Sequence, residues 1–280
     1  LSLMDFRLLY PGFHKKAVTF SYDDGIIEDR KLIEIFNRYH FKATFNLNFG
    51  QSGEAKFRTD IFGKEVDCSH LDLKENVSLY DGHEIANHTF HHPHLEDTPK
   101  EVQRNEYLDN QRELEKLFKR RVVGSAYPYG SYNQDTLDIL KEIHVEYART
   151  TRSTYSFHLP YDWLLWNPSI HHRDPRMMEI LDEFEKDDEE LSLLYIWGHA
   201  YEFEIDHDFM KMDEICKRLA TDKDVICLTN EEVYRYVHAA GSLYYRYEAF
   251  HNPSDEDVCI LCQGKEMLVK KKGVYPYVGK

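Results

Sequence analysis

Two groups of polar residues in this chain have the composition of a metal site that carries its own base. Asp23 and Asp24 stand together at the end of the apolar run 17–22, and the string 88–92 reads His-Thr-Phe-His-His. One carboxylate and two imidazoles are a common set of three protein ligands for a catalytic zinc, and they leave a coordination position open for water or substrate. The second aspartate of the pair would then be free to move protons.

The same residues also have a structural interpretation. Asp23 and Asp24 could be turn or cap residues before the helix that follows them. The histidines could be an ordinary surface pair in a histidine-rich segment, and His91 or His94 could replace His92 as a ligand. The pairing of the acidic cluster with the histidine cluster favours the metal site.

The elements that must position these residues alternate between strands and helices from residue 17 to about 240, which predicts parallel βα units. The expected strands are 17–22, 43–47, 83–87, 122–127, 145–150, 191–197 and 225–228. One expected helix follows residue 26, and a second begins with Thr98 as N-cap and Pro99 at its first position. The other expected helices lie near 133–143, 175–186, 208–220 and 230–239. The stretch 50–75 is less periodic and predicts a loop with a short helix.

The pattern changes after Gly241 to tyrosines and valines broken by turn residues, which predicts a few antiparallel strands. We therefore divide the chain into a domain over 1–240 and a small β-rich C-terminal extension over 241–280. The pair Cys259-x-x-Cys262 has no second pair to complete a zinc site, so we interpret it as two strand residues.

The residues whose side chains could take part in catalysis or metal binding fall at the ends of the expected strands. Asp23 and Asp24 end the first strand, the 88–92 string follows the third, Tyr-Pro-Tyr-Gly at 127–130 ends the next, and Arg149 and His199 follow later strands. Parallel α/β barrels build their sites at the carboxyl ends of their strands. We therefore expect these groups to meet at one edge of the sheet.

Composition excludes several classes of function. The net charge of −15 argues against nucleic acid, whose phosphates need a basic groove. No apolar run reaches the length of a membrane span, so we expect no membrane partner. An uncharged or cationic ligand fits this charge better.

The compartment is predicted from the start of the chain and from its cysteines. Residues 1–5 lack the basic and apolar regions of a signal peptide, and the five cysteines are an odd number in a chain too long to need disulfides. We expect a cytoplasmic location, although a chain that begins without Met leaves a removed signal peptide open.

The motifs resemble those of the polysaccharide deacetylases, the NodB-homology superfamily or carbohydrate esterase family four, over residues 15–240. Ser-Tyr-Asp-Asp-Gly at 21–25 stands where that family has Thr-Phe-Asp-Asp-Gly, with Tyr22 in place of phenylalanine, and the 88–92 string matches its His-Thr-x-x-His motif. The resemblance implies an α/β fold, a distorted parallel (β/α) barrel of about seven strands, with the small C-terminal β appendage outside it.

The remaining family motifs match less fully. The third usually reads Arg-x-Pro-Tyr/Phe-Gly, but Ala126 occupies the arginine position, and Arg149 at the next strand end is our candidate to replace that arginine beside Asp23. Asp162-Trp163 resembles the fourth motif. The fifth, a leucine-rich strand that ends in histidine, is matched at 193–199.

The resemblance also implies a role for each site residue. Asp24, His88 and His92 would hold a divalent metal, with Zn²⁺ expected and other first-row ions open. Asp23 would take a proton from water, His199 would protonate the departing amine, and the backbone N–H of Tyr129 would stabilise the oxyanion. The residues assigned to substrate contact or to support of the site are Tyr22, Tyr127, Arg149, Asp162, Trp163 and Trp197.

Several alternatives remain at this stage. His199 could be a structural histidine, the tryptophans could be core residues or a wall for a sugar, and His171-His172 could be exposed, line the pocket or bind a second metal. For the whole chain we expect removal of N-acetyl groups from an amino-sugar polymer or oligosaccharide. Hydrolysis of another amide or of O-acetyl esters, and an inactive carbohydrate-binding protein, are the alternatives. The glycan and the oligomeric state are not predicted.

Overall fold

Eight parallel strands form the sheet that positions the polar residues. The computed structural model describes residues 5–277. The strands are β1 Phe6–Leu9, β2 Lys16–Asp23, β3 Thr44–Leu47, β4 Phe57–Thr59, β5 Glu65–Asp67, β6 Glu84–Asn87, β7 Gly124–Ala126, β8 Tyr147–Arg149, β9 Ile170–His171, β10 Ser192–Gly198, β11 Val225–Cys227, β12 Tyr244–Arg246, β13 Ala249–Asn252, β14 Val258–Cys262, β15 Lys265–Val269 and β16 Gly273–Pro276. The helices are α1 Asp29–Arg38, α2 Lys100–Phe118, α3 Gln134–Glu142, α4 Met177–Lys186, α5 Ala200–Ile205, α6 Phe209–Thr221 and α7 Asn230–Gly241.

Seven of the parallel strands follow one another in the order β8-β7-β6-β3-β2-β10-β9, and β11 pairs with the first half of β2. Strand β2 is central because it pairs with β10 along seven residues and with β3 through its last three. The sheet curls into a half-barrel, which confirms the expected α/β class and the strands predicted between residues 17 and 228.

The core explains why these segments form the sheet. Every residue of β2 is buried, as expected for a parallel strand covered on both faces. The apolar positions of α1, among them Leu32, Ile33 and Phe36, pack into the same cluster as Phe20 and Phe45 of the sheet. The 3.6-residue pattern of the helices and the continuous apolar strands therefore bury one shared core.

Two local predictions are wrong. Residues 50–75 contain the antiparallel hairpin β4–β5, whereas the sequence predicted a loop with a short helix. Thr98 does not cap α2, because its side-chain hydroxyl donates to the backbone oxygen of His94 at 2.7 Å, and Pro99 directly precedes the helix. The local turn offers Thr98 an acceptor, and this bond replaces the cap.

The C-terminal segment forms the expected antiparallel strands. Its strand β14 lies between β15 and the N-terminal β1, and a second small sheet has the order β12-β13-β16. Cys259 and Cys262 both lie in β14, which confirms that they are strand residues. The division at residue 240 stays a prediction, and the chain start used for the signal-peptide expectation includes residues 1–4, which lie outside the described part.

Over residues 5–277 we find no helix with the length and apolar character that crossing a membrane requires.

Glu84, a buried carboxyl of β6, gives the first testable prediction. Burial raises the pKa of Glu84, and hydrogen bonds from Tyr147, Thr44 and the backbone N–H of Glu231 lower it. Burial has the larger effect, so the pKa is about 7. Between the ordinary pKa of 4.5 and about 7 the folded chain keeps a proton that the unfolded chain loses, so stability falls as pH rises. The loss is about 3 kcal/mol and is complete above that window.

We expect Glu84→Gln to flatten the pH dependence of the unfolding free energy between about pH 4.5 and 7, because glutamine does not titrate there. Urea unfolding at several pH values measures this slope. The exposed Glu65 provides the control, since Glu65→Gln should keep the wild-type slope. An unchanged slope in Glu84→Gln would show that Glu84 ionises normally in the folded protein.

Candidate metal centre and catalytic cleft

The topology brings the predicted polar residues to one edge of the sheet. Asp23 is the last residue of β2, His88 follows β6 directly, Arg149 ends β8 and His199 follows β10. Because all these strands are parallel, their carboxyl ends lie together. Asp23, Asp24, His88, His92 and His199 line one cleft with a volume of about 210 Å³.

Asp24, His88 and His92 converge at the centre of this edge. Asp24 Oδ1 lies 3.5 Å from Nε2 of His88 and 3.5 Å from Nε2 of His92, and the two imidazole nitrogens are 3.1 Å apart. These separations are close to those between the ligands of a tetrahedral ion with bonds of about 2.0–2.2 Å. The structure therefore selects His92, and neither His91 nor His94, as the partner of His88.

The protonation state of these groups fits a divalent cation. His88 Nδ1 donates to the carbonyl oxygen of Ala126 at 2.7 Å, so its Nε2 carries the free lone pair. Burial and the neighbouring His88 lower the pKa of His92 to about 4, which keeps that imidazole neutral. Asp24 Oδ1 is buried and has no hydrogen-bond partner among residues 5–277. A buried carboxylate oxygen facing the Nε2 atoms of two imidazoles is the donor set that a first-row divalent ion takes.

Four residues at or beside this group have a left-handed backbone conformation. The backbone angle φ is positive, between 57° and 82°, at Asp24, Thr89, His92 and Tyr129. Residues other than glycine rarely adopt this region. Such strain costs about 1–3 kcal/mol per residue and persists where the surroundings enforce it. The local backbone is therefore organised around the site at the expense of local stability.

Asp23 stays outside this group of three and is held by two donors. Asn46 Nδ2 donates to its Oδ1 at 2.8 Å and Arg149 Nη2 to its Oδ2 at 2.6 Å. Burial alone would raise the pKa of Asp23, but Arg149, His88 and His199 outweigh burial and lower it. A buried, ionised carboxylate next to a candidate metal site can accept a proton from water.

Arg149 occupies the place that the sequence suggested for it. Its side chain is fully buried, pairs with Asp23, and lies with its guanidinium 4.2 Å from the centre of the Trp197 ring. The arginine comes from β8, the strand next to the one that carries the Tyr-Pro-Tyr-Gly motif. Its contact with Asp23 is the one that replacement of the missing motif-three arginine requires, and the replacement itself stays a prediction.

His199 lies on the other side of Asp23, with Nε2 3.8 Å from Asp23 Oδ2. Glu202 lies three residues further along the chain. Its Oε2 accepts the backbone N–H of His199 at 2.9 Å and lies 3.4 Å from His199 Nδ1. Burial alone would lower the pKa of His199, but Glu202 and the charges of Asp24 and Asp23 raise it to about 9. The raised pKa favours the protonated form of His199 at neutral pH, which is the form that its predicted role requires.

The other predicted residues divide into two groups. Tyr127, Tyr129 and Trp197 line the cleft, and the Tyr129 ring stacks on His94 at 3.8 Å. Tyr22 is buried behind it, with its hydroxyl 3.3 Å from His172 Nδ1.

Asp162 and Trp163, the match to the fourth motif, are not brought to the cleft. Asp162 is exposed and accepts the N–H of Leu164 at 2.9 Å. The Trp163 ring packs against Trp166 and Tyr234 in a separate part of the core.

Sequence reasoning missed several residues of the cleft and of its immediate surroundings. The segment of the hairpin β4–β5 places Lys56 and Arg58 at the cleft, and the Arg58 guanidinium lies 3.7 Å from the centre of the Tyr201 ring. The hairpin was missed because its strands are only three residues long and show no clear hydrophobic period. Glu202 had a readable signal, since an acidic residue three positions after a cap residue is a capping-box pattern. Asn46 had no signal beyond its place at the end of β3.

The comparisons with known proteins concern the family and the fold. Residues 11–148 match the family model described as polysaccharide deacetylase. A curated relative, YxkH of Bacillus subtilis (strain 168), is 23% identical over 140 residues, which are 49% of this chain and 45% of YxkH. The chain thus matches less than half the length of that relative.

Solved structures share the fold at low identity. A protein from Mycobacterium smegmatis covers 85% of this chain and 96% of its own length at 15% identity, with a TM-score of 0.60. The Xyl-CE4 domain of a multidomain xylanase from the hindgut metagenome of Trinervitermes trinervoides covers 80% and 92% at 14% identity, with a TM-score of 0.54. A mutant of BA3943, a CE4 family pseudoenzyme with restored enzymatic activity, covers 80% and 69% at 15% identity, with a TM-score of 0.51.

Proposed function

We propose, on the premise that this chain belongs to the polysaccharide deacetylase family (CE4, NodB homology), that it hydrolyses N-acetyl groups on an amino-sugar polymer or oligosaccharide in a metal-dependent reaction. The observation that carries the proposal is the arrangement around Asp23. The carboxylate of Asp23 lies beside the candidate metal ligands Asp24, His88 and His92 but is not one of them. It accepts hydrogen bonds from Arg149 and Asn46.

A divalent ion held by Asp24, His88 and His92 would polarise the acyl carbonyl and make a water molecule in the cleft more acidic. Asp23 accepts the proton of that water as its oxygen attacks the carbonyl carbon. The hydrogen bonds from Arg149 and Asn46 keep the carboxylate ionised and fix its direction before the reaction begins.

His199 completes the reaction from the opposite side. As the C–N bond breaks, its Nε2–H protonates the departing nitrogen, and the products are acetate and a free amine. Glu202 holds the imidazole through its backbone N–H and lies beside Nδ1. The backbone N–H of Tyr129 is assigned as the hydrogen-bond donor to the oxyanion. Such a donor accelerates the reaction because negative charge develops on that oxygen only in the transition state.

Acetate release by the zinc-loaded protein tests the proposal. The substrates are N-acetylated chito-oligosaccharides, peptidoglycan fragments and O-acetylated xylo-oligosaccharides, with the metal-free protein as control. Release from the N-acetylated substrates supports the proposal. Release only from the O-acetylated substrate would move the function to ester hydrolysis, and no release from any of them, although metal is bound, would favour the inactive binding protein.

We expect His88→Ala to lower the affinity of this site for Zn²⁺ by more than about 100-fold, because it removes a buried ligand that a carbonyl holds in place. Competition with a chromophoric chelator measures the affinity. His91→Ala is the matched control, since His91 pairs with Glu106 and not with the site. An unchanged affinity of this site in His88→Ala, or a lowered affinity in His91→Ala, would contradict the assignment of ligands.

A further inference from the structure

A second group of metal-ligating side chains lies behind the cleft. Among residues 5–277, His171, His172 and Glu202 form one of the groups of histidine and acidic residues whose ligand atoms all lie within 4.8 Å of one another. His171 is the last residue of the short strand β9, His172 follows it directly, and Glu202 lies on α5. We propose that these three side chains form a second binding site for a first-row divalent metal such as Zn²⁺.

The distances in this group are longer than those of two histidine–carboxylate hydrogen bonds in the same chain. Glu202 Oε2 lies 3.2 Å from His171 Nε2 and 3.3 Å from His172 Nε2. The histidine–carboxylate hydrogen bonds of His91 with Glu106 and of His207 with Asp60 are both 2.7 Å. Two ligands of a tetrahedral zinc are about 3.3 Å apart when each bond is about 2.0–2.1 Å. The spacing therefore corresponds to two ligands of one ion.

His172 is prepared as a ligand. Its side chain is almost fully buried, and its Nε2 has no hydrogen-bond partner among the described residues. On the other side of the ring, Nδ1 lies 3.3 Å from the hydroxyl of Tyr22, which can accept an Nδ1–H. That tautomer leaves the lone pair of Nε2 toward Glu202, as in metal-bound histidines whose second nitrogen donates to a partner.

Glu202 has capacity for a cation in addition to its contact with His199. Its Oε2 accepts the backbone N–H of His199 at 2.9 Å, and a carboxylate oxygen has a second lone pair. The nearby Arg173 does not neutralise Glu202 by a close pair, since it lies 3.7 Å from Oε1 and pairs at 2.8 Å with Asp206. A buried carboxylate with two imidazoles is a donor set of the kind that zinc accepts.

The site has a route to solvent. His172 lines a surface cleft of about 310 Å³ together with Arg173, Asp206 and Asp208. His171 is partly exposed, with 21% of its side-chain surface accessible. A cation can therefore reach the two imidazoles without passing through the catalytic cleft.

One contact favours a rival arrangement. The backbone N–H of Arg173 donates to His171 Nδ1 at 3.1 Å, which leaves the proton on Nε2 for a hydrogen bond to Glu202. Metal binding through Nε2 requires the proton on Nδ1, so this exposed contact would open when the ion binds. The two arrangements differ in metal content, which makes them distinguishable without an activity assay.

Metal stoichiometry tests the proposal. Metal-free protein is titrated with Zn²⁺ and the bound ions are counted by native mass spectrometry. We expect two ions in wild type, one in His171→Gln, one in His172→Gln and one in His88→Ala. Combining His88→Ala with His171→Gln should leave none, and His207→Gln, which alters an ordinary histidine–carboxylate pair, should keep two.

His171→Gln is the main variant because His171 is more exposed than His172 and less important for packing. Anomalous scattering at the zinc edge from crystals of the loaded protein should place the second ion between His171 and Glu202. A single ion in wild type, or a second ion that persists in both His171→Gln and His172→Gln, would overturn the proposal. Neither result depends on whether the chain is a deacetylase.

Discussion

Asp23→Asn is expected to lower kcat about 10²–10⁴-fold while the protein keeps the ion held by Asp24, His88 and His92. The amide has nearly the shape of the carboxylate but cannot accept a proton at neutral pH. Asp23 Oδ1 and Oδ2 face the donors Asn46 Nδ2 and Arg149 Nη2, so either orientation of the new NH₂ group meets another donor. The variant loses both the base and the anion that keeps Arg149 paired.

The unfolding free energy of Asp23→Asn should also fall, since removing one partner of a buried ion pair costs about 3–5 kcal/mol. Steady-state kinetics, zinc content and urea unfolding on the same preparation separate the two effects. Asp29→Asn is the control, because Asp29 is buried outside the cleft lining, where it accepts the hydroxyl of Tyr80, and its replacement should keep kcat. If zinc-loaded, folded Asp23→Asn retained most of the wild-type kcat, Asp23 would not be the base.

The strand pattern was predictable because parallel strands buried on both faces are continuous apolar runs, as 17–22 is. Once the strands were placed, their parallel order brought Asp23, His88, Arg149 and His199 to one edge. The distance of 2.6 Å between Arg149 and Asp23 could not be predicted, because it depends on the curl of the sheet and on the Trp197 ring beneath the guanidinium.

Other features were missed for physical reasons that differ from one to the next. The hairpin β4–β5 has short, exposed strands, so no alternation of apolar and polar residues marks it. Asp162-Trp163 matches a motif only as a dipeptide, and the packing of Trp163 against Trp166 and Tyr234 decides its position. Short strings without a supporting periodic element therefore predicted location poorly.

The pairing of Arg149 with Asp23 gives the second large expected effect. Arg149→Met should lower kcat/KM at neutral pH about 10–100-fold, as loss of a residue that orients a site residue usually does. Arg149 lowers the pKa of Asp23 against burial, which raises it. Without the guanidinium the carboxyl keeps its proton to a higher pH, so the acidic limb of the profile should move to higher pH.

Three variants separate the charge of Arg149 from its shape. Arg149→Lys keeps the charge but loses the planar contact over Trp197, so its profile should lie between those of wild type and Arg149→Met. Arg152→Met alters an exposed arginine three residues away and should match wild type. The kcat/KM profile of zinc-loaded protein from pH 5 to about pH 10 measures all three. A wild-type profile in Arg149→Met would mean that Asn46 alone orients the base and that Arg149 serves the packing of β8 against Trp197.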